Sequence, residues 1–173
     1  MRVSFDLKIL SYCNEGELFK IIKKEPNGLN EVTVAHIMKQ LLSVVNNCHI
    51  HHIVHRDLRP ENILVYSVEY QYVNNKRIPL YTIKVSDFKS ARTYKESKNL
   101  NKKVGNPYYI APEVLNRNYN EKCDLWSCGI IMYILVTGQP PFSGNTDTEI
   151  LAKVKSGIFA HFGIYFHFIY QNY

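Results

Sequence analysis

An aspartate at position 57, an asparagine five residues later at 62 and a second aspartate at 87, just after a strand-like run, carry the side chains best suited to chemistry in this chain. Asn62 and Asp87 offer hard oxygen ligands from separate segments, the kind that Mg²⁺ shares with phosphate oxygens. Asp57, outside that pair, can accept a proton from a hydroxyl. Arg59 adds a positive charge where a migrating phosphoryl group needs one. Pro60 closes the loop between Asp57 and Asn62, and the strand pair that follows brings Asp87 back beside them. These are the parts of an in-line phosphoryl-transfer site, in which positioning and charge neutralisation supply most of the catalysis.

The elements that must hold these residues are mainly helical. From Asn30, a good N-cap, the apolar residues Val34, Ile37, Met38, Leu41, Leu42, Val45 and Cys48 recur at three- and four-residue steps and predict a long helix. Residues 17–24 predict a shorter one with Leu18, Ile21 and Ile22 on one side, broken by Pro26, Asn27 and Gly28. Residues 1–10 read as a strand entering a turn at 13–16. Residues 63–66 and 81–85 read as two short strands, joined by the polar and aromatic stretch 67–80. Residues 121–137 are apolar nearly all round after Asp124, which predicts a helix at the centre of a helical lobe, stopped by Gly138 and Pro140-Pro141. Thr146 and Glu149 fit a capping box ahead of Ile150, Leu151 and Val154, for a helix ending near Gly157.

Composition sets the outer limits. The 173 residues are 46% hydrophobic and 21% charged, which excludes a wholly disordered or collagen-like chain and suits one sizeable core. A net charge of +6 suits anionic partners without choosing among phosphates, nucleic acid and acidic peptides. Cys13, Cys48, Cys123 and Cys128 form no CxxC pair and read as reduced thiols. Residues 1–10 lack a secretory h-region, and the longest membrane-like run, 129–136, falls far short of the roughly 20 residues that span a bilayer, so a cytosolic protein is expected. Residues 158–173 are rich in aromatics, uncharged and without period, and are expected to lie outside the fold.

Several motifs now fall in a single order. HRDLRPEN at 55–62 resembles the catalytic loop of protein kinases, SDFK at 86–89 resembles their metal-binding DFG, and APE at 111–113 matches the end of their activation segment. DLWSCG at 124–129 and PPF at 140–142 follow in the same order. The match runs over residues 7–157 and is closest to calcium-dependent and calmodulin-dependent serine/threonine kinases, through GNPYYIAPEVL and CDLWSCGIIMYILVTGQPPF. The resemblance implies an α+β protein-kinase-like fold, here a mainly helical large lobe with a short β-hairpin and little of the small lobe. It implies a domain over residues 1–157, ATP and Mg²⁺ as cofactors, and a protein serine or threonine as acceptor. By position, Asp57 would be the catalytic base, Asn62 and Asp87 the metal ligands, and Arg59 the γ-phosphate contact. Leu10 falls at the gatekeeper, Ser11 and Cys13 at the hinge, Glu17 at the ribose contact and Leu64 at the adenine floor. His55 and Asp124 would hold the catalytic loop in shape. No EF-hand loop is present, so calcium or calmodulin control would act through segments outside this chain.

Other readings stay in view. His49, His51, His52 and His55 could suggest a metal cluster, but the resemblance puts His55 in the loop core and the others at a helix end. Tyr108 and Tyr109 read as packing residues of a substrate-binding loop, not as a nucleic-acid platform. Three departures lie inside the motifs. Arg59 replaces lysine, Asn106 replaces a threonine that bonds to the catalytic loop, and Lys89 replaces the glycine after Asp87-Phe88, at a steric cost if that position needs positive φ. The chain also carries about nine extra residues between Asp57 and Asp87, expected in a longer turn between two strands. The Gly-rich loop and strand lysine of the family are not found ahead of Leu10, which leaves an inactive partial domain, a pseudokinase, a docking module and a truncated gene product as alternatives to a working enzyme.

Overall fold

Helices and antiparallel strands make up the part of the chain that the computed structural model describes, residues 13, 15–95 and 99–158. In order these are β1 (Gly16–Glu17), α1 (Leu18–Lys24), α2 (Glu31–Ile50), β2 (Ile53–Val54), β3 (Ile63–Val73), β4 (Lys76–Val85), β5 (Arg92–Thr93), α3 (Pro112–Leu115), α4 (Cys123–Thr137) and α5 (Asp147–Ser156). Short 3₁₀ turns sit at Pro60–Asn62 and Phe88–Ser90. The expected strand at 1–10, with Leu10 and Ser11, lies outside the described residues, as do residues 159–173.

The helix expected from Asn30 forms as read. The Asn30 carboxamide oxygen accepts the Val32 N–H at 2.9 Å, and Val34, Ile37, Met38, Leu41 and Val45 turn inward. Leu42 does not: one residue past Leu41, it falls off the inward stripe and is 44% exposed. α2, α1, the base of the hairpin, α4 and α5 close round one apolar core containing Leu18, Ile37, Leu41, Ile63, Ile131 and Ile150. A smaller cluster forms around Val54, Ile110, Val114, Tyr119 and Cys123.

α4 corrects the expectation of a helix surrounded on all sides. Leu125 and Met132 are 47% and 48% exposed and Gly129 lies open between them, because the described elements pack on the opposite side. Its helical residues also begin at Cys123, two later than read, after a turn in which the Asn120 carboxamide oxygen accepts the Lys122 N–H. α5 is capped close to the expected box: the Thr146 hydroxyl accepts the Glu149 N–H, and the Glu149 carboxylate reaches back to the Asn145 N–H, one residue ahead of the cap. Gly157 ends it in a left-handed conformation.

The larger correction concerns residues 67–80. They are not a joining loop but the outer part of two long paired strands, in register from Ile63↔Val85 to Val73↔Lys76 with one irregularity between Val65 and Ser67. Asn74 and Asn75 adopt φ 47° and φ 60° at the tip, the left-handed pair that a two-residue hairpin turn requires. Cross-strand cation–π contacts, Arg77 over Tyr70 and Lys84 over Tyr66, hold the exposed face. α2 grips β4, the edge strand of the sheet. Gln40 donates to the Tyr81 carbonyl and accepts from the Ile83 N–H, while the Thr33 hydroxyl donates to the Pro79 carbonyl. On the other side β3 takes β1, pairing Gly16 with Val65 and Glu17 with Leu64. β2 pairs with β5 just ahead of the catalytic-loop motif.

Two glycines join the ends of helices. Gly28 after α1 and Gly138 after α4 both have positive φ, and their backbones approach closely enough that a Cβ on Gly28 would stand 1.9 Å from the Val136 carbonyl oxygen. The Leu29 N–H donates to the Leu135 carbonyl at the same crossing.

Candidate active site

The loop from His55 to Asn62 is held from beneath by Asp124. Its carboxylate accepts the backbone N–H of His55 and of Arg56, both at 2.8 Å, and meets His49 Nε2 at 3.0 Å. Asp124 and His55 are almost fully buried, at 1% and 2% exposure. The loop needs this anchor because Arg56 sits at φ 69°, a left-handed conformation disfavoured for a residue with a Cβ by roughly 1–2 kcal/mol. The Arg56 guanidinium is fixed in turn by the Ser90 carbonyl and the Tyr119 hydroxyl. The Tyr119 hydroxyl in turn donates a hydrogen bond to the Lys102 carbonyl.

Asn62 joins the two halves of the constellation. Its Nδ2 donates to the Asp57 carbonyl at 2.9 Å, and its own carbonyl accepts both the N–H and the hydroxyl of Ser86, the residue before Asp87. His55 Nε2 meets the Ser86 carbonyl at 3.1 Å, and its ring packs edge-on against Phe88. The Ile63↔Val85 register sets the mouth of the hairpin at the same place. Asp57, Asn62 and Asp87 are each half-buried. With Nδ2 committed to the Asp57 carbonyl, Oδ1 is left as the acceptor of Asn62, and with the Asp87 carboxylate it offers the kind of oxygen donors that suit Mg²⁺.

The two cations are already paired. Arg59 Nη2 meets Glu61 Oε1 at 2.8 Å, while Arg59 Nε and Glu61 Oε2 are buried without a protein partner among the described residues. Burial opposes the Arg59 charge, but the hydrogen bond and charge of Glu61, with Asp57 adding, outweigh it and hold the guanidinium above its ordinary pKa. Lys89 Nζ meets Asp87 Oδ2 at 2.9 Å, and that bond, with the charge of Asp87 and then of Asp57, holds the ammonium above its usual value. The steric cost considered for Lys89 does not arise. Lys89 lies inside the 3₁₀ turn, and the residue with positive φ is Asp87, at 60°.

Glu17 and Leu64 are register partners on β1 and β3, and Cys13 is half-buried. Asn106 does not bond to the catalytic loop; its carboxamide oxygen accepts the Tyr108 N–H. A cleft of about 480 Å³ lies alongside, lined by Phe19, Lys23, Glu61, Asn106, Tyr108 and Tyr109; Asp57, Asn62 and Asp87 are not among its lining residues. The four histidines go to separate partners: Asp124, the Asn47 carbonyl, the Tyr94 ring and the Ser86 carbonyl. Among the described residues no three His, Cys, Asp or Glu side chains form a metal-binding group, and no helix is long and apolar enough to cross a membrane. Sequence reasoning missed the roles of Glu61, Tyr119 and His49, since each depends on a partner that spacing alone does not select.

A catalytic-loop segment pinned by a buried aspartate and tied through an asparagine to a second aspartate fits one class. The chain belongs to the protein kinase family, whose domain profile matches residues 7–172. It is 44% identical over 151 residues to calcium-dependent protein kinase 5 of Plasmodium berghei (strain Anka), covering 87% of this chain and 25% of that protein. It is 46% identical over 143 residues to calcium-dependent protein kinase 4 of the same organism, covering 82% and 25%. To calcium-dependent protein kinase 3 of Plasmodium yoelii yoelii it is 44% identical over 151 residues, covering 86% and 26%. The chain thus spans about a quarter of the length of the curated relatives it matches.

Proposed function

We propose that this chain is the large-lobe part of a serine/threonine protein kinase domain that moves the γ-phosphoryl group of ATP onto a protein hydroxyl. The observation that carries this reading is the double tether at Asn62, whose side chain holds the Asp57 carbonyl and whose carbonyl holds Ser86. It supports the reading by tying the Asp57 backbone, Asn62 and the residue before Asp87 to one hairpin mouth. In this reading Asp57 accepts the proton of the attacking serine or threonine hydroxyl. Asn62 Oδ1 and Asp87 hold Mg²⁺, which neutralises phosphate charge when bound. Arg59 meets the transferring phosphoryl group after leaving or sharing Glu61. Glu17 and Leu64, side by side on β1 and β3, line the nucleotide position together with Cys13; Ser11, which the motif also assigns to the nucleotide, lies outside the described residues. The cleft beside Glu61 and Tyr108 takes the acceptor peptide.

The Lys89–Asp87 pair favours a second reading, a module that binds nucleotide without transferring phosphate. Phosphorylation of a serine/threonine peptide from ATP separates the two, using the full chain with whatever flanking sequence its transcript encodes. Transfer that falls by about 100-fold or more in Asp57→Asn, with nucleotide binding retained, supports the enzyme. Unchanged turnover in that variant refutes the assigned base, and nucleotide binding with no transfer in the unaltered chain supports the second reading.

A further inference from the structure

Lys89 stands where the kinase motif has glycine. Its side chain is 71% exposed, yet it is directed back to place Nζ 2.9 Å from Asp87 Oδ2. The backbone explains this aim. Asp87 takes a left-handed conformation, φ 60° and ψ 60°, and Phe88–Ser90 then wind into a 3₁₀ turn. At roughly 2 Å rise per residue, such a turn keeps residue 89 close above residue 87. A glycine at 89 would leave the Asp87 carboxylate without this contact.

We propose that Lys89 is a tethered cation that competes with divalent metal for Asp87. The inference rests on the reading of Asp87 as a metal ligand given above. Mg²⁺ binds carboxylate oxygen at about 2.1 Å and keeps an ordered shell of further oxygens around it. An ammonium 2.9 Å from Oδ2 stands where the shell of a metal on that oxygen would lie, so metal and lysine cannot both take Oδ2 in this geometry. Lys89 is exposed enough to swing into water when metal arrives, so the pair raises the metal concentration at which the pocket fills and does not block it. Couplings between exposed ion pairs correspond to roughly two- to fivefold in an equilibrium constant, and salt weakens them. The lysine therefore makes this site a weaker collector of Mg²⁺ than one with glycine in its place, most of all at low ionic strength.

Direct metal binding tests this without reference to turnover. The full chain is titrated with Mn²⁺ in the absence of nucleotide, and free Mn²⁺ is read by electron paramagnetic resonance. Lys89→Met is expected to bind roughly two- to fivefold tighter than the unaltered chain, with the difference shrinking at high salt. Arg92→Met removes one positive charge from β5, where the guanidinium bonds the Ala91 carbonyl, and measures the general field effect. Asp87→Asn is expected to remove the site in both the unaltered and the Lys89→Met background. If Lys89→Met binds no tighter than Arg92→Met while Asp87→Asn still abolishes binding, the competition is refuted and the metal site stands. If Asp87→Asn changes nothing, or no Mn²⁺ binds, the metal-site reading falls and the inference falls with it.

Discussion

Asp124 is the residue whose removal the fold should feel most sharply around the candidate site. Its carboxylate serves three donors, and two of them, the His55 and Arg56 amides, are buried. Each orphaned buried donor costs about 1–3 kcal/mol, so Asp124→Ala should lose about 2–6 kcal/mol of stability. That is a large share of the roughly 5–15 kcal/mol that holds a typical domain together. Asp124→Asn keeps one oxygen but turns an N–H₂ toward the other amide, and should lose about half as much. His49→Ala should cost about 1 kcal/mol, because the imidazole side chain is 15% exposed and its partner keeps two other bonds. Urea unfolding followed by circular dichroism gives these differences, provided the slope with denaturant is unchanged. Hydrogen exchange at amides 55 and 56 localises them. An Asp124→Ala variant within about 0.5 kcal/mol of the unaltered chain, or one whose two amides keep their protection, would refute the idea that this carboxylate anchors the strained Arg56 backbone.

Further outcomes can be read from the same chain. Gly28→Ala drives a methyl group into the Val136 carbonyl at positive φ and should lower stability by about 3 kcal/mol or more, whereas Gly129→Ala, with nothing within 4 Å, should raise it by about 0.5–1 kcal/mol; melting temperatures that rank the two the other way would contradict the packing described. Burial, then Asp124, pushes the Cys128 thiol up from 9.0 to about 12, and burial, then Asp124 and Glu113, pushes Cys123 higher still. Because the unfolded chain alone releases these protons above pH 9, stability should hold below about pH 9 and fall toward pH 12 by roughly 1.4 kcal/mol per pH unit for each thiol. A flat urea midpoint between pH 8.5 and about 10.5 would count against it, as would rapid reaction of either thiol with a disulfide reagent at pH 8 in the folded chain.

The parts of the site that could be read from sequence are those whose chemistry is local. Asp57 to Asn62 is one short loop closed by a proline, so residue type and spacing nearly determine what can meet. The Asn30 cap, the Thr146–Glu149 box and the Gly157 stop are likewise decided within a few residues. What escaped depends on direction and on distant partners. Nothing in the order Arg-Pro-Glu says that Arg59 turns onto Glu61, and nothing in Asp-Phe-Lys says that the turn brings Lys89 onto Asp87. Tyr119 is 63 residues from the arginine whose guanidinium reaches its hydroxyl. The long hairpin had a legible signal, the Asn74-Asn75 pair between runs of tyrosine, valine and isoleucine. The charged and polar residues between them masked it, because one face of the ribbon is open to water.

The position of that hairpin has an evolutionary corollary. Its mouth is clamped by Ser86 on Asn62 and by the Ile63↔Val85 pairing, while its far end terminates in a freely facing two-asparagine bend. Residues inserted at the bend lengthen the prongs without spreading their roots. A lineage can therefore lengthen or shorten this ribbon and leave untouched the spacing on which Asp57, Asn62 and Asp87 depend, which makes the tip a natural place for variation.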